Sequence, residues 1–369
     1  MIETGGWGGI WHYACCLGNA LRDEGLDLNM LTSCSFEQPF ELRFKISPHL
    51  NHKRSYIANI VSLYMGIAAL RPSVVHLQSW FSARRDWVHL LVCRAFRLPL
   101  VVTAHNFLPH DSEERRAPFM SWAFQKIYRS ADAVIVHSRA NRERIIEAFR
   151  IPEERVIFVK HGNYRFFAEN FPVDSFEARR EYLGGNVNRR TFLIFGAIRH
   201  YKGIDLALKA MSHLPRLSGM HLIVAGKPHP GVLNACKGLA SDLKLLEHLT
   251  FLPKYFNIQE VAKIHSAADI CVFPYRDVFQ SGSLQTALAF GKPIIATSVG
   301  SFPETLNSTN AWLVEPDSPS SLAQAFEKAV SIPEQDLVSM GKESLRISTE
   351  EHDWKIIAQQ TKAVYLNLM

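Results

Sequence analysis

The chain has six cysteines, at 15, 16, 34, 93, 236 and 271, but no Cys-x-x-Cys pair and no Cys/His spacing of a zinc site. Adjacent Cys15 and Cys16 would fall on opposite sides of a helix or strand. All six read as reduced core residues of a cytosolic protein. Long hydrophobic runs are also lacking. The longest apolar stretch, residues 57–70, is interrupted by Asn59 and Ser62. It falls short of the roughly 20 residues that a bilayer span needs. The opening Met1-Ile2-Glu3-Thr4-Gly5-Gly6 is not the charged-then-apolar run of a secretion signal. The expectation is a soluble, cytoplasmic chain that at most rests on the inner face of a membrane. Dense Lys/Arg stripes are missing, the fullest being Lys53-Arg54 after His52, so no nucleic-acid partner is expected. No Asp-x-Asp pair is present to hold a divalent metal, and none is expected.

What is present is ordinary globular material. Hydrophobic residues make up 47% and charged residues 21% of 369, enough for two domains that each bury a core. The net charge of +6 is unevenly spread: residues 1–165 carry 21 Lys+Arg against 15 Asp+Glu, and the remainder is balanced at 20 each. A mildly basic first half can face phosphate groups or an anionic membrane, or can simply be a solvated surface.

Short β-type runs alternate with helical patterns. In the first half, strands read at 74–77, 100–104, 133–136 and 156–159, with helices at 11–24, 87–96, 118–129 and 139–149. Continuous apolar strands separated by helices mark a parallel sheet covered on both faces. The rhythm breaks over 166–190, where Gly184-Gly185-Asn186 signals a turn. It resumes with strands at 191–195, 221–225, 250–252, 270–273, 293–297 and 312–314, and with helices around 206–211, 258–267 and 320–330. A last helix reads from Trp354. The expected organisation is an N-terminal Rossmann-like domain (1–170), a linker (171–190), a second Rossmann-like domain (191–353) and a helix (354–369) returning to the first. Only four residues precede the first glycines, so the opening strand is either very short or lost.

Four segments carry candidate chemistry. Gly5-Gly6-Trp7-Gly8-Gly9 lets backbone approach a ligand just before a helix, though the spacing is not that of a dinucleotide fingerprint and a flexible turn is the plain alternative. Thr103-Ala104-His105-Asn106 follows a strand, where ligands of open α/β sheets bind; a lone histidine is more often structural. Phe195-Gly196-Ala197-Ile198-Arg199-His200-Tyr201-Lys202 places two cations after another strand, suited to a pyrophosphate or else simply a basic loop. In the fourth, a strand leads through Asp277 to Ser281-Gly282-Ser283-Leu284-Gln285 and an apolar helix. Its first amides lack intrahelical acceptors and suit a phosphate.

Together these residues resemble the retaining glycosyltransferases of family four, with the GT-B fold. The resemblance covers nearly the whole chain. Its most specific part runs from Ala268-Asp269-Ile270-Cys271-Val272-Phe273-Pro274 through Asp277–Gln285 and Ala289-Phe290-Gly291-Lys292-Pro293 to Val299-Gly300-Ser301-Phe302-Pro303-Glu304. Ala131-Asp132-Ala133-Val134-Ile135-Val136-His137-Ser138 matches as well. The resemblance implies two facing α/β domains with a cleft between them, and a metal-independent, hexosyltransferase-like enzyme without a cofactor.

It also implies roles. Arg199 and Lys202 neutralise the donor diphosphate. The amides around Ser281, Gly282, Ser283 and Leu284, with Gly6, Gly8 and Gly9, hold the donor. His105 meets the donor sugar and the developing charge. The chain departs from the family's paired-glutamate motif. Its two positions, eight apart, are Asp277, toward the sugar, and Gln285, toward the ribose. The arginine usual directly after the loop glycine is Ala197, and Arg199 stands two places later. The implied reaction moves a sugar from a nucleoside-diphosphate sugar to a hydroxyl of a saccharide or lipid-linked saccharide, in polysaccharide or glycoconjugate synthesis. A non-catalytic nucleotide-sugar-binding subunit, or a phosphorylase or epimerase of the same fold, remains the alternative. Trp80, Phe81, Arg84, Arg85, Trp87 and residues 115–122 combine aromatic and basic character, as expected of contact with an anionic membrane.

Overall fold

The computed structural model describes residues 1–50, 55–78, 83–105, 118–184, 188–215, 217, 219–229 and 231–369. The chain divides into two compact units, Met1–Gly162 with His352–Met369, and Asn163–Glu351.

In the first unit, β3 (Val75–Gln78), β4 (Leu100–Thr103), β5 (Ala133–Val136) and β6 (Val156–Phe158) pair in parallel, as do β1 (Asn29–Ser33) and β2 (Lys45–Leu50). The first residues of the chain join the two sets. Ile2 bridges Leu31 of β1 and Leu77 of β3. Its amide donates to the His76 carbonyl at 2.8 Å and its carbonyl accepts from Gln78 at 2.9 Å, while Leu31 donates to Met1 at 2.9 Å. The first residues of the chain thus form a short bridging segment between β1 and β3. A few residues suffice there because both neighbours supply backbone partners. The sequence reading did not find β1 or β2. β2 contains Pro48 and lies at an edge, where a missing N–H is tolerated.

The apolar stretch at 57–70 is a helix, α1 being Gly8–Asp23 and α2 Tyr56–Leu70. The Ser55 hydroxyl caps α2 by accepting from the Ala58 amide at 3.2 Å. Among the described residues no helix is long and apolar enough to cross a membrane. The closing helix, Trp354–Leu366, starts from the Asp353 cap and buries Ile357, Ala358, Val364 and Tyr365 in the same core as Trp11, Tyr13 and Leu17 of α1. Five cysteines are buried, but Cys34 is exposed. The expectation of six core thiols fails there because Cys34 sits in the bend where the chain leaves β1.

The second unit is a six-stranded parallel sheet of β7 (Arg190–Phe195), β8 (Met220–Ala225), β9 (Leu249–Leu252), β10 (Ile270–Phe273), β11 (Ile294–Thr297) and β12 (Ala311–Val314). Its order is β9-β8-β7-β10-β11-β12. The chain starts in the middle, builds outward to one edge, then returns to build the other, so the direction of winding reverses between β7 and β10. Side chains alternate across the sheet. Phe192, Ile194, Leu222, Val224, Ile270 and Val272 enter one core, and Leu193, Ile223, Cys271 and Phe273 enter the other. Apolar residues on both faces are what helix layers above and below require. Residues 166–190, without a strand rhythm in the sequence, contain the helices Phe166–Glu169 and Ser175–Leu183, both in the second unit.

Candidate active site

The reversal point between β7 and β10 leaves two adjacent strand ends with diverging connections, the place where open α/β sheets bind ligands. Both motifs expected to grip phosphate leave from there. β7 runs into Gly196, whose φ is +108°. A Cβ on Gly196 would lie 2.6 Å from Lys202 Nζ and 2.9 Å from Ser283 Oγ. The lysine of one loop and the serine of the other thus converge on a single backbone position that only glycine leaves open.

Lys202 is 4% exposed. Its ammonium donates to the Phe195 carbonyl at 3.0 Å and to the Tyr275 hydroxyl at 2.7 Å. Burial lowers its pKa below the ordinary lysine value, and nearby Arg199 acts in the same direction, against the raising effect of Tyr201. An anion brought against this group regains the stabilisation that burial removed. Burial holds the Tyr275 phenol well above its usual range, so it stays protonated and neutral. Tyr275 is the residue of this site that the sequence reading missed. Its signal was its place, two residues past a strand end and inside the loop already singled out.

The loop carrying Lys202 is tied down. Gly203, at φ +64°, passes so close that a Cβ would stand 1.8 Å from the Pro274 carbonyl oxygen. The Arg276 amide donates to the Tyr201 carbonyl at 2.8 Å. The Arg276 guanidinium grips both Asp205 oxygens at 2.8 and 2.7 Å and also reaches the His200 carbonyl. Burial opposes ionisation of Asp205, but the Arg276 hydrogen bonds and charge outweigh it and hold the carboxyl below its usual range. Arg199 is half-buried at the start of the same turn, where its carbonyl accepts from the Lys202 amide at 3.1 Å.

Ser281 caps the helix Gly282–Ala289 by accepting from the Leu284 amide at 3.2 Å. The Leu284 amide is thereby engaged. The Gly282 and Ser283 amides have no acceptor among the described residues, and the helix terminus adds its partial positive charge. Asp277 is half-buried in the loop ahead of this helix. Gln285 is 4% exposed in its first turn. Its Oε1 is buried without a partner among the described residues. No group of three or more His, Cys, Asp or Glu among the described residues is placed to hold a metal ion.

In the first unit, Gly6 and Gly8 take left-handed φ values of +74° and +75°, and α1 begins at Gly8 followed by Gly9. A Cβ on Gly6 would lie 2.7 Å from the Ser35 carbonyl oxygen. The fully buried carboxylate of Glu3 accepts from the Gly5 and Gly6 amides at 3.0 and 2.9 Å. This internal anion occupies donors that the sequence alone left open to a ligand.

His105 is 4% exposed just past β4. Asn106, named with it in the sequence, lies outside the described residues. The strand ends around His105 supply further polar rings that the sequence reading missed. Gln78 Oε1 accepts from His105 Nε2 at 2.7 Å. His137 lies 5.5 Å away centroid to centroid, and Tyr13 of α1 meets the His105 ring edge-on at 4.8 Å. Burial first, then His137 and His76, lower the His105 pKa well below its ordinary value, so the ring is neutral at physiological pH. A signal was available: His76, Gln78, His105, His137 and His161 all stand at or just past the four parallel strands.

Residues 7–162 match the family model described as Glycosyltransferase Family 4, and residues 189–331 match that of Glycosyl transferases group 1. A D-inositol 3-phosphate glycosyltransferase of Mycobacterium marinum is 28% identical over 240 residues, covering 62% of this chain and 49% of that protein. The chain thus spans about half the length of this curated relative. An uncharacterised glycosyltransferase of Methanocaldococcus jannaschii is 23% identical, covering 92% of this chain and 87% of its own. The solved structure of Anabaena HepE in complex with UDP and glucose has a TM-score of 0.80 at 16% identity, covering 100% of this chain and 98% of that one. With both units matched in this way, the chain belongs to the family-four, group 1 glycosyltransferases and has the GT-B fold.

Proposed function

We propose that the chain transfers a sugar from a nucleoside-diphosphate sugar to a hydroxyl of a saccharide or lipid-linked saccharide, with retention of configuration and without a metal, in polysaccharide or glycoconjugate synthesis. The observation that carries this reading is the convergence of Lys202 Nζ and Ser283 Oγ on Gly196, beside the open amides of Gly282 and Ser283. A diphosphate seated there gains a charge-assisted hydrogen bond from Lys202 and two from backbone. Arg199 adds a second cation. The names of solved neighbours complexed with UDP and UDP-glucose support the same ligand class.

The bond between the anomeric carbon and the diphosphate oxygen breaks, and its electron pair stays on the diphosphate. Donors held in place before the reaction stabilise that charge as it forms, which lowers the barrier without reorganisation. The acceptor oxygen bonds to the anomeric carbon on the face the diphosphate leaves, and its proton passes to the departing oxygen. His105 and Asp277 contact the sugar, and Gln285 uses its unpartnered Oε1 to accept from a ribose hydroxyl.

Purified protein incubated with a panel of nucleotide sugars and candidate acceptors tests this. The expected outcome is nucleoside diphosphate release with transfer of the sugar, and an α-linked product from an α-linked donor. Binding without release supports the non-catalytic subunit reading, and an inverted product excludes retention.

We infer in addition that the first unit contacts an anionic lipid surface. On the uncharged helix α2, Ile57, Val61, Tyr64 and Met65 are exposed at one-face spacing, Ile57 at 72%. Exposed Trp122 and Lys126 form a further aromatic–cation pair. Trp80, Phe81 and residues 106–117, together with the side chains of Arg84, Arg85 and Trp87, lie outside the described residues. Co-sedimentation with vesicles rich in phosphatidylglycerol, and none with phosphatidylcholine alone, is expected; equal behaviour with both overturns the inference.

A further inference from the structure

The reading of His105 as a contact of the donor sugar leaves open what the imidazole offers it. A neutral imidazole has one N–H and one lone pair, and the partner of one nitrogen decides the role of the other. On His105 that partner is Gln78. Gln78 stands at the end of β3, fully buried, with Oε1 2.7 Å from His105 Nε2 and Nε2 3.3 Å from His76 Nε2. A carbonyl oxygen only accepts and an amide NH2 only donates. The Gln78 amide therefore takes a proton from the His105 side and gives one to the His76 side. His76 is fixed beyond it, its Nε2 2.7 Å from the Thr103 hydroxyl and its Nδ1 2.5 Å from the Tyr365 hydroxyl of the closing helix. A chain of hydrogen bonds thus runs from Tyr365 through His76 and Gln78 to His105, entirely within the first unit.

We propose that Gln78 is a positioning residue that holds His105 as the Nε2–H tautomer, so that Nδ1 presents a lone pair to a hydroxyl of the donor sugar. In this state His105 accepts from substrate and has no proton at Nδ1 to give to the leaving group. The groups around the ring, Tyr13, His76, His137 and His161, are uncharged aromatics near neutrality, since burial lowers the three histidine pKa values. Nothing in that set supplies a charge that favours the imidazolium. The sugar contact itself rests on the proposed function; the tautomer assignment does not.

The test uses the full chain labelled with 15N-histidine, with the His105 signals assigned through His105→Asn. Long-range 1H–15N spectra at pH 7.5 are expected to show a protonated, pyrrole-type Nε2 and a pyridine-type Nδ1 on His105. Gln78→Leu is expected to lose this single pattern and to raise KM for the donor about tenfold, the change that one hydrogen bond commands. Gln78→Glu, nearly isosteric, places a carboxylate beside the ring and raises its pKa. KM for the donor is then expected to rise as pH falls toward 6, where wild type stays flat, because the doubly protonated ring has no lone pair. A protonated Nδ1 in wild type, or an unchanged tautomer in Gln78→Leu, overturns the proposal. If the tautomer follows Gln78 while donor kinetics do not, the assignment stands and the sugar-contact reading of His105 falls.

Discussion

At Gly196 one added methyl would press on a lysine ammonium and a serine hydroxyl at once, in a backbone conformation that disfavours any side chain. Gly196→Ala is expected to cost about 1–3 kcal/mol of stability through backbone strain. It should also push Lys202 and Ser283 apart, so that nucleoside diphosphate affinity falls more than the urea midpoint alone explains. Calorimetric titration beside urea unfolding separates the two effects. Tyr275→Phe makes a finer cut. It keeps the ring under Lys202 and removes only the hydroxyl that accepts from Nζ. The fold should survive, and affinity for nucleoside diphosphate should drop about tenfold, within the range for a hydrogen bond to a charged group. Unchanged affinity would mean that the Phe195 carbonyl alone positions the ammonium.

At the scale of elements, the loop after β7 holds its shape because Arg276 reaches across from the loop after β10. Arg276→Ala is expected to lower the melting temperature by a few degrees, in line with about 1 kcal/mol for this partly exposed pair. It should weaken diphosphate binding as well, although Arg276 is not assigned to touch it; thermal scans with and without nucleotide read both. Most of this architecture is legible in the sequence. The strands β3 to β12 announce themselves as short apolar runs bounded by turn residues, and both phosphate motifs sit at strand ends. Asn29–Ser33 and Lys45–Leu50 did not, because their polar residues and Pro48 break the apolar signal. What tied the loops together was not legible either. Tyr275, Arg276 and Gln78 act through partners 73, 71 and 27 residues away, and sequence spacing carries no sign of such pairings. Glu3 filling the glycine amides is a near neighbour, but its role depends on the left-handed turn at Gly6.

Across the whole molecule, buried histidines set a pH limit. His137, His221 and His265 are lowered to about 4 and His76 to about 3, each chiefly by burial. His105 and His161 are lowered as well. Unfolded, these rings take up protons near pH 6.5. Below that pH the unfolded chain holds more protons than the folded one, so stability falls as pH drops from 6.5 toward 4 and below. The urea midpoint is expected to be level between pH 7 and 8 and to fall steeply between 6.5 and 5. A midpoint that stays level to pH 5 would mean that these rings are not desolvated in the folded chain.

If one anion is held from two loops, a double-mutant cycle on Lys202→Met and Ser283→Pro reports it. Proline is tolerated in a helix's first turn, so Ser283→Pro removes the amide donor, together with the hydroxyl, while sparing the helix. Titrating each variant and the double with nucleoside diphosphates and with the parent nucleosides, each single change should weaken the diphosphate at least about tenfold. The nucleosides should be unaffected, and the diphosphate losses should couple by more than about 0.5 kcal/mol. Strictly additive losses, or equal losses for nucleoside and diphosphate, would contradict it.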